Sequence, residues 1–182
     1  MDFIRRNNDI YLLQGDFELG ETLDCGQAFR WEKITDGYDG FFLDRHLTVT
    51  KKDDFFIFHD TSEEDFIKIW AEYFDLNTDY RELKRVFSED ETLKKACEFA
   101  GGIRLLKQDK WEALCSFIIS QNNNIPRIKG IISRLCEAEN GFPTAEKLAA
   151  KTADDLGYLR SGFRAKYIID AAKKTAFGEV SL

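Results

Sequence analysis

The sequence predicts an α+β protein in which an N-terminal antiparallel β-sheet domain precedes an all-helical domain. Two observations lead to this prediction. Residues 9–59 show the composition and turn residues of short strands, and from Thr61 the apolar residues recur at helical spacing. A length of 182 residues suits one domain or two small ones, and 43% apolar residues can form a core. Composition and charge shift near residues 100–108, so we place the domains at residues 1–104 and 105–182.

The N-terminal part contains short segments rich in β-branched and aromatic residues. Turn signals such as Asp36-Gly37 and Asp53-Asp54 separate these segments. The alternation in HLTVT favours an antiparallel sheet with one covered face. Strands are predicted in DIYLLQG, FELGETLDCG, QAFRWEKI, GFFLDRHLTVTKK and DFFIFHD.

The first predicted helix follows a capping signal, Thr61 or Ser62 with acidic residues after it. Within TSEEDFIKIWAEYF the apolar side chains then recur every three or four positions. Further helices are predicted over Asp79–Phe87, Glu91–Ala100, Lys110–Ser120, Ile125–Glu139, Thr144–Lys151 and Gly162–Thr175.

The composition excludes several classes of protein. Two prolines and no low-complexity run argue against disorder, and no apolar stretch approaches the roughly 20 residues that span a membrane. The start, MDFIRRNNDI, lacks a signal-peptide apolar region, so we expect a cytoplasmic protein, associated with the nucleoid if the host is bacterial. The four cysteines and two histidines show no metal-ligand spacing; we expect free thiols, no metal, no cofactor and a monomer.

The charge is distributed unevenly along the chain. The net charge is −7, which by itself argues against a nucleic-acid partner. Residues 1–100 hold 13 Lys/Arg and 24 Asp/Glu, a net charge of −11, whereas residues 101–182 hold 13 and 9, a net charge of +4. Local basic patches matter more for phosphate binding than the total, but a net charge of +4 over residues 101–182 does not by itself justify assigning DNA binding.

The stretch SQNNNIPRIKG places three asparagines between two predicted helices. One Asn at a helix end is ordinary, but three leave amides that a cap does not need. Four stretches, this one included, occur in order along the chain: CGQAFRW (Cys25–Trp31), GGIRLLKQDKWEALCSFIISQNNNIPRIKGIISRLC (Gly101–Cys136), GFPT (Gly141–Thr144) and GFRAKYI (Gly162–Ile168).

Together these stretches resemble the 8-oxoguanine DNA glycosylase family, within the helix-hairpin-helix glycosylases. The resemblance implies base-excision repair of double-stranded DNA in which 8-oxoguanine lies opposite cytosine, with the damaged base flipped out of the duplex. It matches Asn122 to an asparagine that fills the vacated space and contacts the orphaned cytosine. It matches Arg127 and Arg164 to arginines that read this cytosine. Phe163 stands where the family usually has a tyrosine wedge beside the opened pair.

Each of these residues also has an ordinary structural explanation. The asparagines can be a helix stop followed by a cap, the two arginines can be solvated helix residues, and Phe163 can belong to the core. Arg104 and Lys107 can meet phosphates or simply form a solvated charged face.

Gly26 matches the glycine whose backbone carbonyl lies against the damaged base. Oxidised guanine carries a hydrogen on N7, where normal guanine has a bare acceptor, so a carbonyl oxygen attracts one and repels the other. A side chain at this position would crowd the base, which explains why glycine would be required here. The alternative is a turn glycine at a strand end. Cys25 is assigned no role, and Gln27, Phe29, Arg30 and Trp31 are interpreted as structural support for the loop.

The resemblance further implies a hairpin with an LPGVG-like turn, a nucleophilic lysine just beyond it and an aspartate further on. No LPGVG-like turn occurs in the sequence, so we name no catalytic residue in this chain. We therefore expect an inactive piece, incomplete at its C-terminus, of a longer enzyme. That enzyme would hydrolyse the bond between 8-oxoguanine and deoxyribose and nick the abasic strand by β-elimination. The alternatives are a non-catalytic lesion-binding module and a protein-interaction module.

Overall fold

The computed structural model describes residues 2–182 and contains two compact units. The first consists of the chain up to Gln27 together with Trp31–Phe41 and Arg45–Lys107. The second consists of Ala28–Arg30, Phe42–Asp44 and Gln108–Leu182. The predicted α+β class is confirmed, because an antiparallel sheet is followed by helices along the chain.

A six-stranded sheet with the order β1-β2-β6-β5-β4-β3 organises the first unit. Ile10 and Val49 both pair with Phe58, and all three side chains are fully buried. The ring of Phe58 packs edge-on against Phe66 and Phe74, which come from the helices that cover the sheet. The strands are β1 (Phe3–Arg6), β2 (Asp9–Leu13), β3 (Trp31–Ile34), β4 (Gly37–Phe42), β5 (Arg45–Lys52) and β6 (Phe55–Phe58).

One strand prediction is wrong, another begins too early, and one strand lies outside the predicted set. The segment FELGETLDCG forms a short helix, α1 (Leu19–Leu23), whose buried residues Leu19, Thr22 and Leu23 have helical rather than alternating spacing. Residues 27–30 form a loop, so β3 begins only at Trp31. β1 precedes the predicted sheet and pairs with β2.

The helices that follow the sheet agree with the prediction, and three of them begin at capping side chains. The Ser62 hydroxyl accepts from the Asp65 amide at 3.0 Å, and Asp79 and Asp90 cap the next two helices in the same way. The elements are α2 (Glu63–Asp65), a π-helical segment (Phe66–Trp70), α3 (Ala71–Tyr73), α4 (Tyr80–Phe87) and α5 (Glu91–Phe99).

The second unit is helical and has its own core. The helices are α6 (Lys110–Ser120), α7 (Ile125–Glu139), α8 (Ala145–Ala149) and α9 (Arg164–Ala176), with a 3₁₀ turn at Gly157–Leu159. Fully buried side chains of Ile119, Ile131, Leu135, Leu148 and Ile168 form its centre. Nowhere in residues 2–182 is there a helix with the length and apolar character needed to cross a membrane.

Candidate functional site

The three consecutive asparagines have three different environments. Asn124 caps α7, since its side-chain oxygen accepts from the Arg127 amide at 3.0 Å. Asn123 donates its side-chain amide to the carbonyl of Ile119 at 3.0 Å, near the end of α6. Asn122 is exposed, and its backbone is left-handed with φ +47°. Local structure therefore uses two of the amides and leaves the Asn122 side chain facing solvent.

Arg127 lies in the first turn of α7, directly after Pro126. Proline fits this turn because the first amides of a helix have no intrahelical acceptor. The Arg127 side chain is exposed, and its Nη2 lies 3.4 Å from the carbonyl oxygen of Arg160. The cation is thus held beside the turn that precedes α9 while remaining open to a ligand.

Arg164 is buried, although it is the first residue of α9. Only 3% of its surface is exposed. Its Nε donates to the carbonyl of Gln121 at 3.0 Å, and its Nη2 donates to the same oxygen and to the carbonyl of Asn122 at 2.9 Å. Its Nη1 donates to the carbonyl of Ser161 at 3.2 Å. The guanidinium therefore joins the loop after α6 to the turn before α9.

Phe163 precedes Arg164 and is largely exposed, at 55% of its surface. The Arg164 guanidinium carbon lies 4.6 Å from the centre of the Phe163 ring, within the range of a cation–π contact. The ring also meets Tyr167 edge-on, with the centroids 5.9 Å apart. An exposed aromatic ring that is supported on two sides can act as a wedge. The alternative that Phe163 belongs to the core does not fit this exposure.

The second unit thus brings together four residues selected from the sequence: Asn122, Arg127, Phe163 and Arg164. They lie at the junction of the α6–α7 loop with the start of α9. Asn122 and Phe163 are both contacted by Arg164, and Arg127 reaches the same turn through Arg160.

Sequence reasoning missed Arg160, whose left-handed backbone, φ +54°, presents the carbonyl that Arg127 contacts. No sequence pattern predicts a left-handed backbone at this position, because arginine adopts it only rarely.

Gly26 lies in the first unit, in the loop that follows α1. Its φ of +87° is a conformation that side-chain-bearing residues rarely adopt, so the backbone itself calls for glycine here. The next residue, Gln27, holds the loop. Its amide nitrogen donates to the carbonyls of Thr22 and Arg104 at 2.9 and 2.8 Å, and its oxygen accepts from the Leu106 amide at 3.0 Å. The predicted structural role of Gln27 is therefore confirmed.

Arg30 also has the predicted structural role. Its Nη1 lies 2.9 Å from a carboxylate oxygen of Glu112 on α6, and both side chains are largely buried. Burial raises the pKa of Glu112, and Arg30 offsets that effect only in part. Burial, reinforced by Glu112, also raises the pKa of the neighbouring Cys115 thiol. A thiol in this environment is an inert part of the core.

Arg104 is not available to phosphates, so that suggestion is wrong. The residue is 5% exposed, and its guanidinium donates to Asp16 Oδ1 at 2.8 Å and to the Asp75 carbonyl at 2.7 Å. Lys107 is half exposed and pairs with Glu72 and Asp75 at 3.2 and 3.0 Å. These cations stabilise the first unit.

No cluster of His, Cys, Asp or Glu suited to a metal ion occurs in the described part of the chain. The site instead consists of amides, guanidinium groups and an exposed ring. Such groups donate hydrogen bonds to base edges and phosphates and wedge between bases. They can bind nucleic acid, and none of them is an activated nucleophile.

Comparison with known proteins defines first the class and then the family. Residues 115–179 match the model of the HhH-GPD superfamily of base excision DNA repair proteins. This segment contains the site at the α6–α7 loop and the start of α9. Residues 10–114, more than half of the chain, match the N-terminal domain of 8-oxoguanine DNA glycosylase. The chain therefore belongs to the 8-oxoguanine DNA glycosylase family, and the predicted resemblance is confirmed.

Individual relatives agree with this assignment. The N-glycosylase/DNA lyase of Saccharomyces cerevisiae is 31% identical over 188 residues, covering 86% of this chain and 49% of the yeast protein. The apo-form 8-oxoguanine glycosylase/lyase of Clostridium acetobutylicum is 37% identical with a TM-score of 0.91, covering 99% of this chain and 68% of that one. The same enzyme in complex with dsDNA containing cytosine opposite 8-oxoG is 36% identical with a TM-score of 0.90, covering 100% and 67%. The chain spans about half the length of the curated relatives it matches.

Proposed function

We propose that this chain binds duplex DNA and recognises 8-oxoguanine opposite cytosine, as the recognition part of an 8-oxoguanine DNA glycosylase/lyase. The observation that carries the proposal is the cluster formed by Asn122, Phe163 and Arg164, with Arg127 beside it. One buried guanidinium contacts both the backbone carbonyl of Asn122, whose side chain is exposed, and the exposed ring of Phe163. The complex of the Clostridium relative with dsDNA containing cytosine opposite 8-oxoG supports the same substrate.

The chemistry of the cluster fits the gap left by a flipped base. Extrusion of a base costs a few kcal/mol of stacking and pairing, so the protein must fill the space and hold the orphaned partner. Cytosine offers two acceptors on its pairing edge, O2 and N3, and both amide and guanidinium N–H groups donate to acceptors. Thymine carries a hydrogen on N3, so the same donors fit it poorly. We assign Asn122 and Arg127 to the orphaned cytosine and Phe163 to the wedge.

Gly26 is proposed to recognise the damaged base. Its backbone carbonyl would accept from the N7 hydrogen of 8-oxoguanine, whereas the N7 of normal guanine is an acceptor and would be repelled. The hydrogen bonds of Gln27 hold this loop in place, which gives the carbonyl a defined direction.

The reaction that this recognition would serve is hydrolysis of the bond between 8-oxoguanine and deoxyribose, followed by β-elimination of the abasic strand. We propose that residues 1–182 supply recognition and not the nucleophile. The amine of a lysine must be partly deprotonated to attack the sugar, and burial or a cationic neighbour supplies that condition. Lys166 and Lys173 on α9 are exposed, and we assign neither of them to catalysis.

Binding to matched duplexes tests recognition. We expect a lower Kd for an 8-oxoguanine·cytosine duplex than for the same duplex with guanine·cytosine, and a Kd that rises with salt for both as counterion release requires. Equal Kd values at matched salt would contradict the lesion-reading role. Borohydride trapping on the damaged duplex tests the chemistry: no covalent adduct is expected, and an adduct would show that an amine of this chain attacks the sugar.

A protein-interaction module is the second candidate, and one observation favours it. Neither α4 nor α5 contributes a buried residue to the first unit. Together they expose Leu83, Val86, Phe87, Leu93 and Phe99. Binding to duplex DNA that weakens steeply with salt would argue against this candidate and favour the DNA-binding role.

A further inference from the structure

Arg160 ends the 3₁₀ turn before α9 in a left-handed backbone conformation, with φ +54° and ψ +33°. Most L-residues are disfavoured in this region because the Cβ atom approaches the following carbonyl oxygen. The chain places glycine two positions later, where Gly162 has φ +61°, and asparagine at the end of α7, where Asn140 has φ +55°. An arginine at such a position therefore calls for a reason beyond the turn itself.

The main chain of Arg160 is held by hydrogen bonds, whereas its side chain is free. Its amide donates to the carbonyl of Gly157 at 3.1 Å, and its carbonyl accepts from Nη2 of Arg127 at 3.4 Å. The neighbouring side chains of Leu159 and Ser161 are buried, and Arg160 itself is exposed. Within residues 2–182 its guanidinium has no hydrogen bond and no ion pair. The turn thus presents an unengaged cation on a fixed backbone.

The turn that carries Arg160 also gathers positive charge from other parts of the second unit. The carbonyls of residues 159, 160 and 161 each accept from a different arginine, Arg134 at 2.8 Å, Arg127 at 3.4 Å and Arg164 at 3.2 Å, respectively. Three guanidinium groups therefore surround the main chain of the turn, and Arg160 adds a fourth.

No carboxylate pairs with these four arginines in the part of the chain that the structure describes. Residues 113–136 and 156–169, which form this region, contain six Lys or Arg and no Asp or Glu, although the whole chain has a net charge of −7. Repulsion between like charges disfavours a fourth cation here, and a bound anion would offset that repulsion. The charge and the exposure of Arg160 both indicate an anionic ligand.

We propose that Arg160 binds a phosphate of the DNA backbone beside the gap, and that it adds affinity without reading a base. The inference rests on the proposed function, because the turn lies next to Arg127, which is assigned to the orphaned cytosine. Duplex DNA supplies a phosphate at every nucleotide. A guanidinium group binds phosphate through two parallel hydrogen bonds, and such contacts position a protein on DNA without specifying its sequence.

The variant Arg160→Gly tests the proposal, because it removes the cation and keeps the backbone conformation. Glycine adopts this conformation at lower steric cost, so the unfolding temperature should equal or exceed that of the wild type. The Kd for the 8-oxoguanine·cytosine duplex should nevertheless rise about eightfold at about 0.1 M salt. Loss of one phosphate contact lowers the slope of log Kd against log salt concentration by about 0.9, which gives this factor over the decade of salt concentration below about 1 M.

The ratio of Kd values for 8-oxoguanine·adenine and 8-oxoguanine·cytosine duplexes should stay at the wild-type value, because the phosphate is present whichever base lies opposite. A wild-type Kd and salt slope in Arg160→Gly would overturn the proposal. A lower ratio would also overturn it, since Arg160 would then read the base. A wild-type protein that binds damaged and undamaged duplexes equally would instead contradict the proposed function, and the salt slope on undamaged duplex would still decide the role of Arg160.

Two more variants and a control complete the test. Arg160→Lys keeps a cation that binds phosphate as a point charge, so its salt slope should match the wild type, and a slope as low as that of Arg160→Gly would overturn the proposal. Arg160→Asn removes the cation with a residue that tolerates the left-handed region, and it replaces Arg160→Gly if that variant is less stable. Arg81→Gln removes one charge from an exposed arginine on α4 of the first unit. Its slope should equal that of the wild type, and an equal decrease would attribute the effect to net charge and overturn the proposal.

Discussion

The substitutions Asn122→Ala and Asn122→Gly should separate the effect of the backbone conformation on stability from the effect of the side-chain amide on the preference for cytosine. The residue adopts φ +47°, and an L-residue other than Gly, Asn or Asp pays about 1–2 kcal/mol there. Asparagine tolerates this conformation, so we expect Asn122→Ala to cost about 1 kcal/mol of unfolding free energy. Asn122→Gly pays no such penalty and should remain close to the wild type.

Both substitutions remove the same amide from an exposed side chain. A net hydrogen bond is worth about 1 kcal/mol, which corresponds to about a fivefold loss of preference for cytosine over adenine opposite 8-oxoguanine. Because the glycine variant keeps the backbone conformation, its preference should fall as far as that of the alanine variant while its stability does not.

The assays are thermal unfolding and fluorescence-anisotropy titration with the two duplexes. For a chain of 150–250 residues that unfolds in one transition, 1 kcal/mol shifts Tm by about 2–4 °C. We expect such a decrease for Asn122→Ala only. An equal decrease for both variants would refute the backbone argument. An unchanged base preference in the glycine variant would refute the assignment of the Asn122 amide to the orphaned base.

Three further predictions follow from individual contacts. Arg127→Ala should weaken the preference for cytosine in duplex titrations more than total binding, since its exposed guanidinium is assigned to the base. Burial acts to raise the pKa of Asp75, but hydrogen bonds from Thr78 and other donors lower it below 3.8. The stability that these bonds contribute is therefore present above pH 3.8 and lost as the pH falls further. Asp75→Asn should lower the free energy of unfolding by about 1–3 kcal/mol at pH 7 in urea unfolding, and it should make the loss of stability at acid pH less steep. Native protein should react with a thiol reagent at the exposed Cys25, whereas the buried Cys115, whose pKa burial raises, should react only on unfolding.

A specific experimental result would contradict each of these predictions. Full cytosine preference in Arg127→Ala would remove Arg127 from the base contact. An acid limb as steep in Asp75→Asn as in the wild type would show that this carboxylate does not govern acid unfolding. Rapid labelling of Cys115 in a native Cys25→Ala variant would show that the core of the second unit opens easily.

The helices of the second unit could be predicted well because their signals are local. Both α6 and α7 have the predicted bounds. Asp109 and Asn124 cap them, and Pro126 marks the first turn of α7, so the residues that begin each helix stand next to it in the sequence. Side-chain-to-backbone bonds of this kind depend on a few neighbouring residues and not on the rest of the fold.

The strand predicted for the segment that forms α1 is wrong, because the conformation of this segment depends on distant residues. A five-residue helix is marginal by itself. Here the amide of Glu18 donates to the carbonyl of Gly102 at 2.8 Å, and Glu21 accepts from the Gly102 amide. These partners lie about eighty positions away, beyond the reach of any local pattern.

The sequence by itself determined the fold class, the family and the identity of the candidate site residues, because cap signals, periodicity and an ordered set of motifs are local properties of the chain. Only the tertiary structure decided how those residues are used. Asn123 and Asn124 bond to the backbone at the helix ends and leave the Asn122 side chain to the solvent, while Arg104 and Arg164, which look like surface cations, are buried among backbone carbonyls. Burial and hydrogen-bond partners depend on which distant segments of the chain meet, and the type of a residue alone does not reveal them.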